Sequence, residues 1–380
     1  VLGIKGYEAQ GRKTTELFSE SSLDLNSFER IFDSTTNSYK IYWFLGLFKE
    51  ITLKNNIISF RRVILRMVTE AWYSVTQYNL LLGFSDNLYN LVKLIHKKYD
   101  VDVNMTETNL INFLENINDI EVEKYIKDLM KYVPYRLLTP FYLLELSKIK
   151  KDYLINKAVV ELTQIDNRSI YKIDDENKII IINKQWFDFI YNNQNLVYGW
   201  INYKLICYLQ KRNPNVPAIP FKIKAPLKRN LNIAKKLWNS IKKEILLLDI
   251  YTEKELCDYN FKLYGNLSID HFIPWSFVLH DELWNLVPTF SKFNSSKNNK
   301  LPNLTLYLNK FCDIQFKFFN VMQKNYKKYK SNLEEYTSIN ICVNNKNFIT
   351  RDEFTNKLKA NIEPLYQIAY NKGYDIWSKE

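Results

Sequence analysis

The stretch Leu267–Pro302, LSIDHFIPWSFVLHDELWNLVPTFSKFNSSKNNKLP, decides how the rest of the chain is read. It opens with a β-prone run, Leu267 to Ile273, which Pro274 ends. A loop carrying Trp275, His280 and Trp284 follows, then a second short run from Leu286 to Phe290. Ser291 is a good N-cap for a polar helix from about Lys292 to Asn299. The predicted order is strand, loop, strand, helix.

Two oxygen donors converge in such a unit. Asp270 closes the first strand and Asn294 rides the helix, with Lys297 three residues on and therefore on the same helical face. One carboxylate and one amide carbonyl form an economical ligand pair for Mg²⁺, which retains waters and borrows phosphate oxygens. His271, next to the carboxylate, can take a proton from an attacking water because imidazole titrates near neutral pH. Phosphodiester hydrolysis needs these components.

The segment resembles the HNH nuclease family, also called ββα-metal or His-Me finger, with its D-H…N…N-x-x-K pattern and closing proline. The matching residues are Asp270-His271, Asn285, Asn294-Ser-Ser-Lys297 and Pro302. The variant with Asp first and Asn last resembles the HNH domains of CRISPR effectors and many restriction-type endonucleases. That resemblance implies that Asp270 and Asn294 hold Mg²⁺ (or Mn²⁺ in its place). It also implies that His271 is the general base and that Asn285 fixes the loop presenting it. It extends from Asn230 to Pro302, roughly a fifth of the 380 residues, and is absent over the first two hundred.

Many HNH domains carry two C-x-x-C pairs around a structural zinc. Here only Cys257 is near, so no zinc is expected and hydrophobic packing must hold the fold, with Phe272, Trp275, Phe277, Leu283 and Trp284 as candidates. His280 can contact phosphate or the metal, or can hold the loop through Asp281; loop support is the preferred reading. For Lys297 the choice is a phosphate contact or a solvated helix face, and phosphate is preferred. Trp275 and Trp284 read as core rather than as platforms for bases, and His96 as a surface histidine.

The net charge of +12 suits a polyanionic partner. The chain is also rich in Asn, Ile, Tyr and Phe, as AT-rich coding would produce, so the charge is informative only where it clusters. It clusters in Lys222, Lys224, Lys228, Arg229, Lys235, Lys236, Lys242 and Lys243, with no acidic residue before Glu244. Leu231, Ala234, Leu237, Trp238, Ile241 and Ile245 give this segment an apolar helical face. A solvated amphipathic helix explains the lysines as well as phosphate tracking does. Their position before the motif favours nucleic-acid binding by Lys235, Lys236, Lys242 and Lys243.

Eight glycines and ten prolines in 380 residues argue for long helices and against a β-sandwich or barrel. No apolar run approaches the ~20 residues of a spanning helix, the first residues lack a signal-peptide core, and the four cysteines are scattered. A cytoplasmic protein with no membrane contact is expected. The predicted class is mainly α with a small α+β unit.

Residues 1–212 read as a helical recognition or regulatory domain, with a lead-in over residues 1 to about 20. This domain includes a helix from Ile57 to Leu82 and a small hairpin near 169–182. Pro214, Pro217, Pro220 and Pro226 mark a linker at 213–227. The HNH unit spans 228–305, and a helical segment, 306–380, is expected to pack on it. Thr350 and Glu353 form a capping box that opens the last helix, which Gly373 closes.

The function implied is Mg²⁺-dependent cleavage of DNA, double-stranded by preference, with the helical domain offering a surface for a protein partner. The family's usual settings suggest phage defence or restriction. A non-catalytic nucleic-acid-binding scaffold, and a nuclease for RNA or single strands, are the alternatives.

Overall fold

The computed structural model describes residues 23–224, 231–341 and 348–378. The lead-in at residues 1 to about 20, together with Pro226, Lys228, Arg229 and Cys342, lies outside the described residues. Among the described residues the chain forms two compact units, divided between residues 72 and 73, 81 and 82, and 208 and 209, with residues 73–81 belonging to the second.

In the first unit the aromatic-dense segment becomes helix α1 (Tyr39–Thr52), whose residues Ile41 to Phe48 are all buried. Apolar residues on every side leave such a helix no solvent face. Phe28 packs between Trp186 and Trp200, with ring centroids at 5.0 and 4.9 Å. Glu50, buried on α1, is held by Arg66 Nε at 2.5 Å and Arg62 Nε at 2.9 Å. Its charge is tolerated because it is paired.

The sheet of this unit has one strand more than the hairpin read from sequence. Strands β1 (Ile57–Ser59), β2 (Tyr171–Asp174) and β3 (Ile179–Ile182) are antiparallel, in the order β1-β3-β2. Residues 57–59, read as the start of a helix, pair with β3 instead, Ile57 opposite Ile181 and Ser59 opposite Ile179. The hairpin leaves a row of unpaired backbone groups on β3, and three residues upstream of helix α2 (Phe60–Thr76) satisfy them.

The second unit contains α3 (Asn232–Ile241), α4 (Asp258–Tyr264), the antiparallel pair β4 (Leu267–His271) and β5 (Leu286–Phe290), and α5 (Ser291–Lys297). Helices α6 (Leu304–Lys324) and α7 (Arg351–Asn371) follow. Trp238 of α3 stacks on Phe318 of α6 at 3.7 Å, and Phe272 on Phe311 at 4.1 Å. Trp377 bonds back to Leu301 O and Ser296 Oγ, so the C-terminal segment packs on the strand pair and its helix.

Residues of the proline-rich segment are packed into this unit: Asn213, Val216, Ile219 and Lys222 are buried. The Asn213 amide brackets the backbone of Leu81, accepting from its N–H and donating to its C=O, both at 3.0 Å. That pairing ties residues 73–81 to this unit. Thr350 Oγ1 accepts from Glu353 N at 3.2 Å, capping α7 as the sequence predicts.

Candidate active site

The site is built where α4 hands the chain to β4. Gly265 has φ +87°, and a Cβ there would lie 2.2 Å from Ser291 Oγ at the start of α5. Only glycine combines that backbone with so close an approach. Gly265→Ala is therefore expected to cost about 1–3 kcal/mol from backbone strain alone. A lower urea midpoint should reveal it, and an unchanged midpoint would show that the turn relaxes freely.

β4 stops at His271 rather than Ile273, because the next two amides turn to Asn285. Phe272 N–H donates to the Asn285 backbone C=O at 2.9 Å and Ile273 N–H to its Oδ1 at 2.8 Å. The Asn285 amide returns a bond to Ile273 C=O at 2.9 Å. A fully buried side chain thus clamps the strand exit beside His271. The chain then makes a single helical turn, Trp275–Val278. Trp284 is buried and donates to Ser338 Oγ. Trp275, expected in the core, is half-buried and lines a cleft.

That cleft, about 330 Å³, is lined among others by Lys235, Ser268, Asp270, His271, Trp275 and Asn294. The structure therefore brings Asp270, His271 and Asn294 to one surface. Asp270 is nearly buried, and each of its oxygens takes a donor: Tyr251 OH on Oδ2 at 2.5 Å and Lys297 Nζ on Oδ1 at 3.0 Å. Burial first, and then the charge of Asp270, push the Tyr251 hydroxyl well above its ordinary range, so it remains a donor.

Lys297 departs from its expected role at phosphate. It is fully buried, and its ammonium donates to Asp270 Oδ1 and to His271 C=O at 2.7 Å. Burial lowers its pKa, opposed by Asp270. The face shared by Asn294 and Lys297 is turned toward β4, where a buried cation finds the partners it requires.

Asn294 uses its amide N–H groups on β4, at 2.6 Å to Ser268 Oγ and 3.2 Å to Ile269 C=O. Its carbonyl Oδ1 is then the atom left for a ligand. Each Asp270 oxygen retains a lone pair beyond the bond it already accepts. Among the described residues no three His, Cys, Asp or Glu side chains gather around a metal position. One carboxylate and one amide oxygen on a shared cleft nevertheless fit a hard cation that keeps waters and takes phosphate oxygens. Lys235 of α3 reaches the cleft, Lys236 and Lys243 are exposed, and Lys242 lies 4.8 Å over the Phe261 ring.

A family model described as HNH endonuclease matches residues 249–303. These residues are an HNH endonuclease domain. Among curated proteins and among solved structures, no match to the chain is found.

The HNH domain includes two polar groups that sequence reasoning did not assign to the site. Tyr251, 19 residues before Asp270, carries no local signal. Asp281, which the sequence offers only as a partner for His280, accepts at Oδ1 from His271 Nε2 at 2.8 Å. His280 packs against Trp284 at 5.1 Å and accepts weakly from Glu282 N at 3.4 Å. Burial, and then nearby His271, push its pKa down to about 4.

Support for the loop also comes from outside the HNH match. Gln315 donates to the carbonyls of Leu283 and Leu286, and Glu335 accepts from Leu283 N–H at 2.7 Å. Burial raises the Glu335 carboxyl to about 7, helped by Glu282 and opposed by the Leu283 bond. The folded state holds this proton more tightly than the unfolded state. The stability it contributes is complete below about 4.5 and lost as pH rises through about 7. His280 acts in the opposite sense, its stability falling as pH drops from 6.5 toward about 4.

Comparison with a variant separates the two groups. Glu335→Gln keeps an acceptor for Leu283, and its melting temperature relative to wild type should rise between about pH 5 and pH 8. A constant difference would exclude Glu335 ionisation as the cause.

Proposed function

We propose that this chain is a divalent-metal-dependent endonuclease that hydrolyses DNA phosphodiester bonds. The observation that carries this reading is the convergence of Asp270, His271 and Asn294 on one cleft within an HNH domain. Asp270 and Asn294 would hold the cation, Mg²⁺ by preference. When bound, it supplies positive charge beside the phosphate, where negative charge builds during displacement.

His271 accepts a proton from water as the water oxygen bonds to phosphorus and the bond to the 3′ oxygen breaks. The leaving oxygen takes a proton from solvent, giving 5′-phosphate and 3′-hydroxyl ends. Lys235, at the cleft wall, and the exposed Lys236 and Lys243 attract the backbone. Asn285 and His280 support the loop. A defence or restriction setting, and a partner for the helical first unit, are part of the same proposal.

The test is cleavage of supercoiled plasmid with Mg²⁺, with EDTA as control and with single-stranded DNA and RNA arms. Nicking or linearisation that EDTA abolishes is expected. Cleavage confined to RNA or single strands would reassign the substrate, and no cleavage of any substrate would defeat the proposal. Asn294→Ala should raise the Mg²⁺ needed for half-maximal cleavage about 10- to 100-fold, as loss of one of two protein ligands. An unchanged metal titration would remove Asn294 from the ligand set.

A further inference from the structure

We infer that Asp281 is the positioning residue for His271, setting which ring nitrogen carries the proton and which accepts one. The inference rests on the reading of His271 as general base. A carboxylate only accepts hydrogen bonds, so the 2.8 Å contact of Asp281 Oδ1 with Nε2 requires a proton on Nε2. In the neutral ring the lone pair then belongs to Nδ1. The ring has little freedom to choose otherwise. His271 is 5% exposed, its C=O accepts from Lys297, and the Asn285 clamp holds the next two residues.

The partner stands at the end of the loop rather than in the strand pair. Asp281 is ten residues from His271, with a side chain 37% exposed. It is flanked by elements that hold its neighbours: Trp284 against His280, and Glu335 on Leu283 N–H. The loop between β4 and β5 therefore does more than connect the strands. It returns a carboxylate to the imidazole, which stabilises the imidazolium formed when water gives up its proton. His280 instead packs on Trp284 and accepts from Glu282 N–H, so the two loop-side groups have separate tasks.

The chain has only three histidines, which makes the ring protons directly observable. His96 is distant in sequence, with Nδ1 3.0 Å from Val101 C=O, so it is part-buried rather than a surface group. With ¹⁵N-histidine in the full chain, and the His271 signals assigned by His271→Asn, neutral His271 should show a protonated Nε2. In Asp281→Asn the side-chain amide can donate to Nε2, so the tautomer should shift toward Nδ1–H. The maximal cleavage rate should fall about 10- to 100-fold with little change in KM. Asp281→Glu should restore the tautomer and part of the rate.

Wild-type tautomer and rate in Asp281→Asn, alongside an inactive His271→Ala, would overturn this inference alone. An unfolded Asp281→Asn with a folded Asp281→Glu that lacks the Nε2–H tautomer would overturn it as well. Full activity in His271→Ala would instead remove the general-base reading beneath it.

Discussion

His271→Ala is expected to abolish plasmid cleavage, a loss on the order of 10²–10⁴-fold or more, while duplex binding stays near wild type. In the proposed mechanism the imidazole at the cleft takes the proton from water, and alanine offers no basic atom. Binding should survive because Lys235 and Lys236 are carried by α3 and Lys243 follows it, on a different element from His271. Folding should survive too. The substitution leaves Asp281 without its imidazole, but that carboxylate is 37% exposed and can be hydrated. Cleavage rate and gel-shift affinity, measured on one preparation at one salt concentration, check the claim. Wild-type turnover would refute the role, and loss of binding together with cleavage would make His271 a structural residue.

The second large effect concerns stability. Lys297→Met should lower stability by about 3–5 kcal/mol, because the Asp270 carboxylate would stay buried without its cation. Methionine fills much the same volume, so the loss is one of charge rather than of packing. For a unit of this size the melting temperature should drop about 10 °C. Two further measurements identify the cause. Asp270→Asn added to Lys297→Met should recover much of the loss, since both charges are then gone. Mg²⁺ should raise the melting temperature of Lys297→Met more than that of wild type, because a cation at Asp270 replaces the missing charge. A lysine acting on phosphate would leave stability unchanged and reduce the salt dependence of DNA binding instead. That result would return Lys297 to the substrate.

The pattern of Leu267–Pro302 determined the strand, loop, strand and helix, because strand alternation, prolines and helix spacing act over a few residues. Asp270, His271 and Asn294 are candidates within that pattern, and Asn285 comes from the resemblance to HNH nucleases. The capping of α7 by Thr350 was legible for the same reason. Tertiary structure alone decided which face of α5 is inside. A seven-residue helix shows that Asn294 and Lys297 share a side, yet its spacing does not say which side meets β4. Lys297 consequently became a buried partner of Asp270. Pairings that cross long stretches of chain were also beyond the sequence: β1 with β3, Tyr251 with Asp270, Glu335 with Leu283. Each satisfies a backbone or charged group that exists as a need only after the rest of the chain has removed it from water.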